Sequence, residues 1–197
     1  MNTTLSVQQR NVLVGLLLGD GHLETQNGGK TYRLKVEHSE SQRDYTEWLF
    51  QLFLPLCEQI TLYRKVKKNG KAYVGFRTRS SGIFRFYAQQ FYRGRKKEMP
   101  RIIRKLLSET GIAIWFLDDG SKKSTRHKTY IVHSLGFSRK ELMKMQKVLQ
   151  EKFNINVSLH RQKKEFYRVY VQSKSASRFR EIIEPYVSQF SSMKHKL

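Results

Sequence analysis

Acidic residues are scarce in this chain. Sixteen Asp and Glu stand against 38 Lys and Arg in 197 residues, a formal net charge of +22 with a pI near 10.2, and that balance suits a polyanionic partner. Cysteine is almost absent as well. Cys57 alone excludes an internal disulfide framework, a Cys-x-x-Cys redox pair and a cysteine zinc ribbon, and it points to a reducing compartment. The six histidines (His22, His38, His127, His133, His160, His195) never fall at the spacing of helical or finger zinc sites. Long apolar runs are missing too: Val12 to Leu18 and the interrupted Ile112 to Leu117 are far shorter than the roughly 20 residues that cross a bilayer. The opening MNTTLSVQQR lacks the charge-then-apolar order of a signal peptide. These absences lead us to expect a soluble intracellular protein with no membrane partner, the bacterial cytoplasm, mitochondrion and chloroplast being equally compatible.

What is present can fold. The chain is 39% hydrophobic with 12 Phe and 10 Tyr, enough for a core and unlike a disordered composition. SVQQRNVLVGLLLGDG reads as a helix buried on nearly all sides. TYRLKVEHS alternates as a half-buried strand, and SQRDYTEWLFQLFLPL is an amphipathic helix entered through Ser39 or Ser41 and ending near Pro55. ITLYRKVK and KAYVGFRTR follow as strands around Asn69-Gly70, a preferred two-residue hairpin turn with positive φ at both positions. A helix SSGIFRFYAQQFY, a basic turn RGRKKEMP and a helix RIIRKLLSE running to Gly111 complete this half.

The pattern then starts again. GIAIWFLDDGSK is a second buried helix, TYIVHSLGFS a strand, SRKELMKMQKVLQEKF a helix, INVSLHRQK and EFYRVYVQS paired strands, and SASRFREIIEPYV a helix. Ile112 lies 99 residues after Leu13, and Leu159-His160-Arg161 lies 97 after Leu62-Tyr63-Arg64. A repeat of this size predicts two related half-domains, 1–108 and 109–197.

Each half places an acid directly after its buried helix: Asp20 in the first, Asp118 and Asp119 in the second. The C-terminus of a helix is already negative, so an acid there calls for compensation. A divalent cation would supply it, because hard cations take carboxylate and carbonyl oxygens. The plainer alternative is that Gly-Asp-Gly and Asp-Asp-Gly are turn sequences that stop the helices.

Taken together, LVGLLLGDG (Leu13 to Gly21) and IAIWFLDDG (Ile112 to Gly120) resemble the twin signature of the LAGLIDADG homing endonucleases in their single-chain, two-motif form. The match extends to WFLDDGSK, to Lys-Lys-Glu-Met-Pro ahead of the second motif, to Phe137 to Glu141 and to the closing EPYV…SMKHKL. The resemblance implies an α+β fold of two pseudo-symmetric half-domains, with the motif helices side by side and antiparallel sheets forming a DNA-binding saddle. Gly15 and Gly19 would permit the close helix contact, helped by Ala113 where the second helix carries Ile114 and Asp118.

It also implies Mg²⁺ or another divalent ion at Asp20 and Asp119, with Gly19 and Asp118 as further ligands, Asp118 through its carbonyl. The expected catalytic set is completed by His38, Lys122, Lys97 (or Lys96) and Lys196 (or Lys194). Alternation puts His38 on the Leu34/Val36 side, where a buried structural histidine is an equal expectation.

The strand faces offer Arg33, Lys35, Tyr63, Lys65, Lys67, Tyr73, Arg77, Arg79, His160, Arg168, Tyr170 and Gln172 to a duplex, as phosphate and base-edge contacts. Val171 and Ser173 stand in the second hairpin where the first has Arg77 and Arg79, so the halves should read different sequences. The function this implies is site-specific cleavage of a long asymmetric DNA target by an intron-encoded monomer. An RNA-binding intron maturase and an inactive DNA-binding protein are the alternatives on the same fold.

Overall fold

Seven apolar residues in a row leave the first motif helix no solvent face, and α1 (Val7–Leu18) is buried from Val12 to Leu18. Ser6 starts it with a capping box: its Oγ accepts from Gln9 N–H at 3.1 Å, and Gln9 Oε1 accepts from Ser6 N–H at 2.9 Å. The computed structural model describes residues 4–123, 129–134, 136–163 and 166–197; His127, Leu135 of the predicted strand and Glu165 lie outside the described residues.

After α1 the chain runs through β1 (His22–Glu24), β2 (Arg33–Ser39), α2 (Arg43–Phe53), β3 (Tyr63–Val66), β4 (Ala72–Arg77), α3 (Arg85–Phe91), β5 (Tyr92–Arg93), β6 (Lys96–Lys97) and α4 (Ile103–Leu106). The second half follows with α5 (Glu109–Asp119), β7 (Gly120–Lys122), β8 (Tyr130–Val132), α6 (Arg139–Phe153), β9 (Val157–Lys163), β10 (Phe166–Val171) and α7 (Ala176–Val187). The two main sheets have matching orders, β1-β2-β4-β3 and β7-β8-β10-β9, antiparallel throughout. Helix α2 packs on β2 and β4, and α6 packs on β9 and β10. Each sheet therefore keeps one face on the core and one open. One apolar core runs through both halves, from Val12 on α1 to Ile183 on α7.

Helices α1 and α5 pack directly on one another through the glycines. A Cβ on Gly15 would fall 2.6 Å from Ile114 Cβ and 2.7 Å from the Gly111 carbonyl oxygen, and one on Gly19 would fall 2.5 Å from Asp118 Oδ2. Gly111, Ile114 and Asp118 thus form the seam on α5, in place of the expected Ala113. Gly15→Ala should destabilise the protein by about 1–3 kcal/mol, the usual range for overpacking. For a domain of this size that lowers the melting temperature by roughly 2–4 °C per kcal/mol, which calorimetry would read.

Several local expectations need correction. The Asn69-Gly70 turn is a three-residue loop: Gly70 N–H donates to the Lys67 carbonyl, Lys67 N–H to the Lys71 carbonyl, and only Gly70 takes a positive φ, 77°. Asn69 stays at negative φ because the left-handed position falls on the residue with no Cβ. Neither Ser39 nor Ser41 caps α2 through its side chain; a turn of 3₁₀-helix, Glu40–Gln42, leads into it. Residues 101–111 form no single helix, because the chain is extended at Leu107 and Ser108 restarts it, accepting from Gly111 N–H at 3.1 Å. The basic turn RGRKKEMP is the β5–β6 hairpin.

The motif glycines are not there for a left-handed turn, since Gly19 and Gly120 have φ of −101° and −90°. They are required by crowding: a Cβ on Gly120 would meet Phe116 Cδ2 at 2.0 Å, and one on Gly21 would meet Leu16 Cβ at 2.6 Å. The strand correspondence also shifts. Register links His22 to Lys35 to Arg77 in one sheet and Ser121 to Ile131 to Tyr170 in the other, so Arg77 matches Tyr170, and Val171 points into the core.

Candidate active site and nucleic-acid interface

The parallel seam of α1 and α5 brings both helix C-termini to one place, and the carboxylates after them crowd together. Asp118 lies in the space that Gly19 leaves open, with its side chain fully buried. Its Oδ2 accepts from the backbone N–H of Asp20 at 2.9 Å, and its Oδ1 accepts from the Tyr45 hydroxyl at 2.9 Å. One carboxylate thus ties the first motif to the second. Asp20 itself is exposed at its own surface, yet protein fills most of the space around it. Burial, then the charge of Asp118, raises its pKa. Asp119 is pushed up to about 8, by burial first and then by Asp118 and Asp20.

Two lysines answer this charge. Lys97 Nζ donates to the carbonyls of Gly19 and Gly21 at 2.8 and 2.9 Å, and Lys196 Nζ donates to the Leu117 carbonyl at 2.5 Å. Each ammonium caps the negative end of one motif helix, the role that sequence reasoning gave to a metal ion alone. Burial lowers both lysine pKa values, while Asp118, Asp119 and Asp20 oppose that shift. The alternatives Lys96 and Lys194 are exposed and point elsewhere. Lys122 is not drawn to the acids, since its Nζ donates to the Leu197 carbonyl at 2.8 Å.

His38 sits where alternation puts it, on the core side of β2, and still reaches the acids. Its Nε2 lies 3.5 Å from Asp118 Oδ1, and its Nδ1 lies 3.0 Å from Thr46 Oγ1. Among the described residues, the groups whose ligand atoms lie within 4.8 Å of one another are Asp20, His38 and Asp118. Asp119 stands beside this trio. Sequence reasoning missed Tyr45, Thr46 and Asp44, which read simply as part of an amphipathic helix. Asp44 holds the segment carrying Lys196, accepting from Ser192 N–H and Ser191 Oγ at 3.1 Å each and from Ser192 Oγ.

The open sheet faces carry most of the predicted interface. Arg33, Lys35, Tyr63, Lys65, Tyr73 and Arg77 share one face of the first sheet by register, with Glu24 and Glu37 among them. Glu24 pairs with Arg33 at 2.9 Å and with Lys35 at 3.7 Å, and Glu37 accepts from Tyr63 O–H at 3.1 Å. Gly75 makes room for Tyr63, whose hydroxyl would lie 2.8 Å from an added Cβ. Arg77 lies over the Tyr63 ring at 5.4 Å. Lys67 falls just beyond β3 and lies over Tyr73 at 3.8 Å. Arg79 is beyond β4 and donates to the Pro55 carbonyl at 2.8 Å, so it belongs to the sheet's margin. On the second sheet His160 stacks on Tyr170 at 4.0 Å, with Arg168 paired opposite His160 and Gln172 just past the strand end.

The paired apolar helices, the acids at their shared ends and the two open sheets define a LAGLIDADG protein. The chain belongs to the LAGLIDADG DNA endonuclease family, whose profile matches residues 10–179. It is 26% identical over 202 residues to DNA endonuclease I-ChuI of Chlamydomonas applanata, covering 93% of this chain and 92% of that one. It is 29% identical over 203 residues to the cytochrome b mRNA maturase bI2 of Debaryomyces hansenii, covering 100% of this chain and 76% of that one. Among solved structures, the homing endonuclease I-WcaI bound to its DNA recognition sequence superposes with a TM-score of 0.88 at 28% identity, covering 99% of this chain and 88% of that one. No helix among the described residues is long and apolar enough to cross a membrane.

Proposed function

We propose that this protein is a site-specific homing endonuclease that cuts both strands of a long, asymmetric duplex, with Mg²⁺ as its working cofactor. The observation that carries this reading is the convergence of Asp20, Asp118 and Asp119 at the joined ends of α1 and α5, between two open basic sheets. Three carboxylates face two lysines there, a balance that leaves room for a divalent cation, and the buried unpartnered His38 Nε2 fits the same demand. When bound, such an ion would activate water and relieve charge on the phosphate.

Asp20 and Asp119 would hold it, with the Gly19 carbonyl alongside. Burial and its two neighbouring carboxylates raise the Asp119 pKa, so cation binding there should strengthen as the pH rises. Lys97 and Lys196 would place positive charge beside the scissile phosphates. Lys122 is the weakest member of the proposed catalytic set, given its partner Leu197. We place the division between the halves at 108/109, where Ser108 restarts the chain as α5.

The maturase relative keeps intron RNA as a second partner, but retention of an acid in both motifs favours an active nuclease over a binding protein. DNA affinity tests the interface. With a net charge of +22, log K should fall steeply with log salt, the affinity dropping by roughly 10³–10⁵-fold between 50 and 200 mM for 6–10 phosphate contacts. Arg77→Ala should cost about 1–3 kcal/mol and relax preference at one position of the site if it reads a base. A salt-independent affinity would remove the nucleic-acid reading.

A further inference from the structure

His38 is buried in a way that a structural histidine does not need. The Thr46 hydroxyl donates its proton to the Gln42 carbonyl at 3.0 Å, so its oxygen can only accept from His38 Nδ1. The ring hydrogen of the neutral imidazole is therefore on Nδ1, and Nε2 carries a lone pair. That nitrogen belongs to a side chain 1% exposed, has no hydrogen-bond partner, and points at the Asp118 carboxylate. A lone pair facing an anion is repulsive unless a cation lies between them.

A proton is one such cation, but the 3.5 Å separation from Oδ1 is long for it. A charge-assisted N–H···O bond closes to about 2.7–2.9 Å. The same separation suits two ligands of one metal ion: for bonds near 2.1 Å, ligand atoms sit about 3.0 Å apart in octahedral and about 3.4 Å apart in tetrahedral geometry. Asp20 adds a third ligand atom within 4.8 Å of the other two. The supporting contacts are also in place. A metal-bound histidine donates its second ring N–H to a fixed acceptor, as Nδ1 does to Thr46, and Tyr45 orients the Asp118 carboxylate.

We infer that His38 Nε2, Asp118 and Asp20 form a nitrogen-containing metal site that favours Mn²⁺, Co²⁺ or Zn²⁺ over Ca²⁺, because first-row transition ions accept an imidazole nitrogen, increasingly so from Mn²⁺ to Co²⁺, whereas Ca²⁺ takes oxygen alone. The inference rests on the reading of this centre as a divalent-metal site, though not on DNA cleavage. The site is one-sided. Register matches His38 to Ser134, whose hydroxyl is already given to the Tyr167 carbonyl at 3.3 Å. Among the described residues, only the first half brings a histidine nitrogen to the acids.

Mn²⁺ titrated into the purified full chain without DNA, followed by pulsed electron paramagnetic resonance, would test this. The expected result is a ¹⁴N coupling from one imidazole, lost in His38→Gln along with the preference for Mn²⁺ over Ca²⁺. Thr46→Val keeps the imidazole but removes its acceptor, and should weaken Mn²⁺ binding by about 10–100-fold. Thermal melts of each variant would show that it folds. Manganese bound without nitrogen coupling, equally well in His38→Gln, would overturn the inference: Nε2 would then hold a proton against Asp118, and an all-oxygen metal site would still stand. No manganese binding at all would overturn it too, and loss of Mg²⁺-dependent cleavage in the same preparation would mark the failure of the broader reading.

Discussion

Asp20→Asn and Asp119→Asn should each abolish Mg²⁺-dependent cleavage, a fall of more than about 10³-fold, while duplex affinity stays near the wild-type value. Affinity should survive because the proposed phosphate and base contacts lie on the sheets rather than at the acids. The same substitutions carry an opposite effect on stability. Asp119 is pushed up to about 8 by burial and by Asp118 and Asp20, so its charged form is held at a cost. Replacing either carboxyl with an amide of the same shape should leave the melting temperature, in chelator at or above neutral pH, equal to or above that of the wild type. An inactive variant that melts higher would separate function from folding in one experiment. A single mutant that cleaved at the wild-type rate would remove its acid from the site.

The second large effect belongs to Lys97. Lys97→Met keeps the length of the chain but withdraws the ammonium from the Gly19 and Gly21 carbonyls and from the three acids. Cleavage should drop by about 10²–10³, the usual loss when one preorganised electrostatic donor is removed. Lys96→Met is the control, since Lys96 is exposed on the same hairpin. Its expected effect on cleavage is small. Equal losses from the two substitutions would mean that the basic hairpin acts through general charge alone.

How much of this could be read from the chain depended on periodicity and on repetition. Two buried nonapeptides with acids after them located the seam and the acids, because seven consecutive buried residues can belong only to a central helix. Alternation placed Arg33, Lys35 and Arg77 on an open face and His38 on the core side, as found. The three-residue strands β1 and β7 were missed because they are too short to show a period, and they lie hidden behind the motif glycines. Lys97 could not be told from Lys96 in a run of basic residues; the turn of the β5–β6 hairpin decides which ammonium faces inward.

Tyr45, Thr46 and Asp44 carried no local signal at all. The partners of Tyr45 and Asp44 lie far away in the chain, at Asp118 and Ser192, so only the assembled halves reveal what these two do, and Thr46 acts through the fold that turns His38 towards it. The Asp118 carboxylate, which the sequence left without a role beside its carbonyl, enters the seam through the space that the missing Cβ of Gly19 leaves and accepts there from Asp20 N–H.

The central claim is that one chain, carrying both acids between two unlike sheets, cuts one asymmetric site. The halves differ where it matters: Arg77 and Lys35 on one sheet stand opposite Tyr170 and Ile131 on the other. Selecting cleaved sequences from a randomised duplex library, with the mass of the protein–DNA complex measured in solution, tests this most directly. The account predicts a long, non-palindromic consensus bound by a single chain and cut on both strands across a narrow minor groove. A perfect palindrome held by two chains, or a library left uncut in Mg²⁺, would contradict it.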